Sequence, residues 1–154
     1  MREEPRVVVV GAGAIGSSIA GWIAPKYENL SLLARGETLE VIKNRGLKSY
    51  LKGGRLTAAA LPVHAIGSLA EIPLPDIIVI TVKNYDLDTT CHDLRAHLGD
   101  HEPVVVALQN GVQNQQVLPR YFARVIYGVV PYNAWRDGPG EVGHEPRGYV
   151  ILGT

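Results

Sequence analysis

Residues Val7 to Gly16 read VVVVGAGAIG, four β-branched residues running straight into Gly-x-Gly-x-x-Gly. Branched side chains favour a pleated strand, and the apolar residues Ile15, Ile19, Trp22 and Ile23 that follow have helical spacing. The stretch therefore predicts a buried strand, a tight glycine turn and a helix. In that unit Gly11 permits the turn, Gly13 lets backbone N–H groups come up against a pyrophosphate, and Gly16 lets the helix pack close to the sheet. An anion then sits at a helix N-terminus, where unpaired N–H groups and the positive end of the helix dipole favour it. Glycine-rich turns are common by themselves; the strand before and the helix after make this one an expected dinucleotide site.

Further along, Pro25 to Asn29 is a break and Leu30 to Ala34 (LSLLA) reads as a second buried strand. Glu37 to Arg45 reads as a short helix closed by Gly46. Leu47 to Leu51 and Arg55 to Ala59, flanking Lys52-Gly53-Gly54, read as a hairpin, with a further short strand around Leu61 to Ala65. Asp76 to Val82 (DIIVITV) is a near-continuous apolar strand of the kind buried on both faces of a parallel sheet. Leu87 to Leu98 reads as a helix stopped by Gly99, Pro103 to Leu108 as a strand, and Val112 to Phe122 as a helix that Pro119 shortens or kinks. Arg124 to Val130 is the next strand. The glycine-rich remainder, with Gly138, Gly140, Gly143 and Gly148, reads as two strands turning back on each other, Glu141 to Glu145 and Tyr149 to Gly153. Strands alternating with helices over 154 residues predict one domain of the α/β class. Its core would be a doubly wound, mainly parallel sheet of the Rossmann type, with helices on both faces and extra antiparallel strands at the C-terminal end.

In such a sheet the ligand lies outside the carboxyl ends of the strands, and four predicted ends carry polar or glycine residues. They are Gly11 to Gly16, Ala34-Arg35-Gly36, Lys83-Asn84 and Gln109-Asn110-Gly111, and all four are expected to converge on one crevice. Arg35 lies about two dozen residues past the first glycine, where an NAD enzyme usually carries an acid for the ribose 2′-hydroxyl. A guanidinium there predicts NADP(H) instead, through paired charge-assisted bonds to a 2′-phosphate that contribute about 1.5 to 3 kcal/mol; the alternative is a solvated arginine beside a turn. Lys83 is placed to bridge cofactor phosphate or ribose and an anionic substrate, or simply to cap a helix. Asn110 offers an amide with donors and an acceptor beside Gly111, although Asn-Gly is also ordinary turn chemistry.

Lys plus Arg and Asp plus Glu are 15 each, so no positive field argues for nucleic acid or an anionic membrane. No apolar run reaches the length of a membrane span and the start MREEPR lacks a signal-peptide pattern, which together with the single Cys91 predicts a cytoplasmic protein. Cys91 reads as a small buried hydrophobe. His97 and His101 are separated by Gly99 and lack further ligands nearby, so no metal is expected. Trp22 reads as core, and Trp135 and Arg136 as surface or interface residues.

Taken in order, GAGAIGS, LLARG, ITVKNYD, LQNGV and the closing RDGPGEVGHEPRGYVILG resemble the N-terminal half of the ketopantoate reductase (2-dehydropantoate 2-reductase) family across essentially the whole chain. The resemblance implies NADPH reduction of 2-dehydropantoate, or a similar 2-keto acid, on the pantothenate and coenzyme A route. It implies that Gly11, Ala12, Gly13, Ala14, Ile15 and Gly16 hold the pyrophosphate and Arg35 the 2′-phosphate. Lys83 and Asn110 would lie near ribose, nicotinamide and substrate, and Ala134 at the nicotinamide end. The family's general-acid lysine belongs to a second, helical domain expected to begin about where Thr154 ends this chain, so cofactor binding with little turnover is the expectation. Apolar surface meant for that domain would favour a homodimer. Two other readings stay open: a related NADP-dependent dehydrogenase of the 6-phosphogluconate or glycerol-phosphate type, and a non-catalytic NADP(H)-binding or sensing module.

Overall fold

The four valines form β1 (Val7–Val10), and the polypeptide then leaves through the glycine turn into α1 (Ala14–Ile23). The computed structural model describes residues 4–146 and 149–153; the expected turn at Gly148 and the end at Thr154 fall outside them. The remaining elements are β2 (Leu30–Leu33), α2 (Gly36–Arg45), β3 (Leu47–Leu51), β4 (Ala60–Leu61), β5 (His64–Ile66), β6 (Ile77–Ile80), α3 (Asn84–Leu98), β7 (Val104–Ala107), α4 (Asn114–Val117), β8 (Val125–Val129), β9 (Ala134–Gly138), β10 (Glu141–His144) and β11 (Ile151–Gly153).

Among the described residues the strands make two sheets. The larger runs β11-β8-β7-β6-β1-β2-β5, parallel throughout except for the antiparallel edge strand β11. The chain passes from β1 to β2 on one side and later to β6 on the other, so the direction of winding reverses between β1 and β6. Loops at that reversal leave a crevice at the strand ends. Side chains alternate across the sheet: Val8, Val10, Ile78 and Ile80 pack under Leu87, Cys91, Leu94 and Leu98 of α3, while Val9, Leu30 and Leu32 face Ile19, Ala20 and Ile42. Apolar surface on both faces is what commits a Val/Ile-rich strand to the middle of a parallel sheet.

The smaller sheet, β4-β3-β10-β9, lies over the outer side of α1. The helix is sandwiched, and its small residues allow it: a Cβ on Gly21 would stand 2.7 Å from Ser49 Cβ of β3. Two polar pairs fix the stack. Ser18 Oγ lies 2.9 Å from the Tyr132 hydroxyl, and Trp22 Nε1 donates to His144 Nε2 at 3.2 Å.

Five sequence expectations are corrected here. Arg55 to Ala59 is a turn and loop instead of the second hairpin strand, and Ala60–Leu61 pairs with β3 in its place; Arg55 is drawn off by a two-pronged contact with Glu141 of β10, at 3.0 and 3.2 Å. That guanidinium holds the Glu141 carboxyl below its usual range. The strand expected at Leu61 to Ala65 is β5, which leaves the excursion and extends the main sheet beside β2. The helix expected from Val112 to Phe122 covers less of that span than expected, α4 and a 3₁₀ turn at Leu118–Arg120; the shortening at Pro119, which has no N–H to continue an α-helical ladder, agrees with the sequence. Ala134–Gly138 is a strand that was not foreseen. The last two strands do not pair with each other: β10 joins β9 and β3, whereas β11 joins β8. Two-residue alternation identifies a strand without naming its neighbour.

No helix among the described residues is long and apolar enough to cross a membrane. Cys91 is fully buried under the sheet, and that burial, with Asp88 nearby, pushes its thiol up to about 12. A thiol-specific reagent at about pH 8 should leave the folded protein unlabelled and react once denaturant is added, since the thiolate is the nucleophile; rapid labelling of the native protein would contradict this placement.

Candidate functional site

The glycine turn sits where β1 meets the reversal in winding, and each glycine meets a different requirement. Gly11 has φ +104°, and a side chain there would also press on Val82 Cγ1 and Thr81 Oγ1, 3.0 and 3.1 Å away. Gly16 faces back onto the turn: its Cβ would overlap Gly11 O and stand 2.5 Å from Thr81 Oγ1. At Gly13 a Cβ would meet nothing within 4 Å, so the third position is open toward the outside. The Thr81 hydroxyl lies 2.9 and 3.0 Å from Val10 O and Gly11 O and ties the turn to the end of β6. Among the described residues no side chain caps the N-terminus of α1, and its first turn carries no acid. Its leading N–H groups are thus left for an incoming acceptor.

A cavity of about 300 Å³ opens at this turn, lined by Gly11, Ala12, Gly13, Arg35, Asp86 and Arg136 among others. Arg35 is the N-cap residue of α2, is exposed, and has no carboxylate partner among the described residues. Ala14, Ile15 and Gly16 stand in the first turn of α1 just behind the cavity. Arg136 is exposed, as expected of a surface residue, but its place at this cavity was missed: as part of β9 it reaches the N-terminal turn of α2, with Nη2 3.5 Å from Thr38 Oγ1. Its only signal in the sequence was a cation in a glycine-rich polar stretch after a strand, about a hundred residues from Arg35, and nothing local indicates that distance is closed.

The single crevice expected at the strand ends is two neighbouring spaces. The Gln109-Asn110-Gly111 strand end faces a larger cavity of about 730 Å³, lined also by Asn114, Tyr127 and Ile151 among others, whereas Lys83 and Asn84 are among the lining residues of neither. The two spaces are stitched together. Asn84 Nδ2 donates to Asn110 O at 2.8 Å, and Gln109 Nε2 donates to Ile80 O and Val82 O at 2.8 and 3.2 Å. Gln109 and Asn114, only 8% and 3% exposed, leave their side-chain oxygens without a donor among the described residues. Buried amide oxygens of this kind fit a ligand carrying N–H or O–H groups. Lys83 is exposed at the start of α3, beside Asn84. Ala134 lies on β9 opposite His144 and lines neither cavity.

Among the described residues no group of three His, Cys, Asp or Glu side chains could hold a metal ion. The open Gly13 position, the uncapped α1 terminus, the unpaired guanidinium groups and the orphaned amide oxygens fit an extended anionic ligand with donor groups at one end.

A family model described as "Ketopantoate reductase PanE/ApbA" matches residues 7–154. Among curated proteins, the chain is 34% identical over 149 residues to a 2-dehydropantoate 2-reductase of Archaeoglobus fulgidus and 32% identical over 148 residues to one of Pyrococcus horikoshii. Each alignment covers 96% of this chain and 47% of the relative, so the chain spans about half the length of the curated relatives it matches. Among solved structures, 2-dehydropantoate 2-reductase from Geobacter metallireducens superposes with a TM-score of 0.82 at 30% identity, covering 96% of this chain and 48% of that one.

Proposed function

Because the chain belongs to the ketopantoate reductase PanE/ApbA family, we propose that it is the NADP(H)-binding domain of a 2-dehydropantoate 2-reductase-like oxidoreductase. The observation that carries the cofactor assignment is the shared cavity of the glycine turn and Arg35, with no acid at the N-cap of α2 to accept a ribose 2′-hydroxyl. In this reading the N–H groups of Gly13 to Gly16 hold the pyrophosphate, and Arg35 pairs with the 2′-phosphate. Lys83 touches phosphate or ribose at the start of α3, and the Gln109–Asn110 corner orients the nicotinamide and the substrate carbonyl. NADPH, when bound, supplies the hydride that reduces the ketone of 2-dehydropantoate or a similar 2-keto acid, on the pantothenate route.

Hydride arrival leaves an alkoxide that must take a proton. The described residues lining the larger cavity offer none near neutral pH: Tyr127 is the one titratable side chain among them, and burial raises its pKa further. We assign the proton donor to a lysine of a further helical domain of the kind the family resemblance implies, and little turnover to these 154 residues acting alone.

Calorimetric titration with NADPH and with NADH tests the assignment. NADPH should bind at least about tenfold more tightly, the worth of one charge-assisted contact. Equal affinities, tighter NADH binding, or binding of neither would overturn it.

A further inference from the structure

We propose that Arg136 is a second specificity-determining residue, which closes with Arg35 a two-guanidinium clamp on the 2′-phosphate of the dinucleotide. The inference rests on the NADP(H) reading above and adds to it a residue from the far end of the chain.

The smaller sheet aims Arg136. Successive side chains on a strand point to opposite faces, and its neighbour Trp135 is committed to one face of β9. The indole packs directly on Gly143 of β10, where a Cβ would overlap the ring, and its Nε1 donates to the Tyr50 hydroxyl at 3.2 Å. Arg136 therefore projects to the other face and reaches Thr38 in the first turn of α2. The β9–β10 turn is pressed onto the same helix. Gly140 has φ +67°, a Cβ on it would stand 2.8 Å from Val41 Cγ1, and its carbonyl accepts from Lys48 N at 2.9 Å. Strand and helix are held at a fixed separation, and Arg35 and Arg136 both line the cavity between them.

Their electrostatics call for an anion. Neither Arg35 nor Arg136 has a carboxylate within ion-pair distance among the described residues, although acids lie close by in sequence. Asp137 is turned toward Arg55, and Glu141 is taken by Arg55 and Lys48. Asp86, the one acid lining the cavity, comes from α3 and pairs with neither arginine. Two like charges facing one space are unfavourable until a counter-ion enters. A phosphate monoester carries about −1.5 to −2 charges at neutral pH, which one guanidinium leaves half neutralised and two match. A ribose hydroxyl, the group NADH presents, would leave both cations unsatisfied.

The test compares 2′,5′-ADP, which carries the extra phosphate, with 5′-AMP, which lacks it, by calorimetry on the intact chain. The wild-type protein should prefer 2′,5′-ADP. R136Q should reduce that preference about tenfold and leave 5′-AMP binding and the thermal midpoint unchanged, since Arg136 is exposed. R136K, which keeps the charge and loses the planar fork, should fall between. Full preference retained in R136Q while R35Q loses it would overturn the clamp and leave the NADP(H) reading standing. Equal weakening of both ligands by R136Q would also overturn it. A wild-type protein indifferent to the 2′-phosphate would overturn the reading and the clamp together.

Discussion

Replacing Gly16 with alanine should destabilise the protein by about 3 kcal/mol or more and abolish dinucleotide binding, measured by urea denaturation and calorimetry. Overpacking usually costs about 1 to 3 kcal/mol because side chains give way. Here the new Cβ overlaps a backbone oxygen, Gly11 O, and crowds the Thr81 hydroxyl that ties the turn to β6. Neither can retreat without moving α1 away from the sheet, and α1 is held from its outer side by β3, β9 and β10. Gly13→Ala supplies the contrast. A Cβ there meets nothing, so stability should fall by about 1 kcal/mol at most, the cost of a poorer N-cap, while affinity falls because the methyl occupies space meant for phosphate. A Gly16→Ala protein of ordinary stability that still bound cofactor would show that the turn relaxes freely.

Arg35→Asp should invert the cofactor preference. Losing the guanidinium removes about 1.5 to 3 kcal/mol of charge-assisted bonding to the 2′-phosphate, and the new carboxylate repels it. NADPH should therefore weaken by about a hundredfold or more. NADH should hold or improve, because a carboxylate at the end of the second strand can accept from the ribose 2′-hydroxyl. Arg35 is exposed at a helix N-cap where aspartate is a favoured residue, so the fold should survive. Dissociation constants for both cofactors decide the matter, and a variant that still favours NADPH would remove Arg35 from the 2′-phosphate site.

Much of the parallel sheet was legible from the chain. The strands at Val7, Leu30, Asp76, Pro103 and Arg124 were each expected within a residue or two of where they lie, because apolar runs flanked by Gly and Pro can be buried on both faces only as strands in a covered sheet. The glycine turn was legible for a related reason: φ +104° at Gly11 and the close approach at Gly16 are demands that one residue type meets. The small sheet was not. β3 was found and its partners were not, since short alternating strands such as Glu141–His144 carry no mark of whether the neighbour is β9, β3 or β11. The helix after Asn110 is shortened at Pro119 as its sequence suggests, but it also begins only at Asn114, which no residue at Val112 or Gln113 signals.

The division at the site has the same cause. Gly11, Gly13 and Gly16 between β1 and α1, and Arg35 between β2 and α2, are local strand-turn-helix features, and the sequence by itself determined their place in the fold. Separating the strand ends into two cavities, burying Gln109 and Asn114 with oxygens left over, and bringing Arg136 to Thr38 are consequences of how the second sheet folds over α1 and how β11 joins β8. Those depend on contacts between residues far apart in the chain, whose cost in chain entropy is met only by burial of the whole. Local propensity carries no record of them, so only the tertiary structure decided which cations line the same cavity.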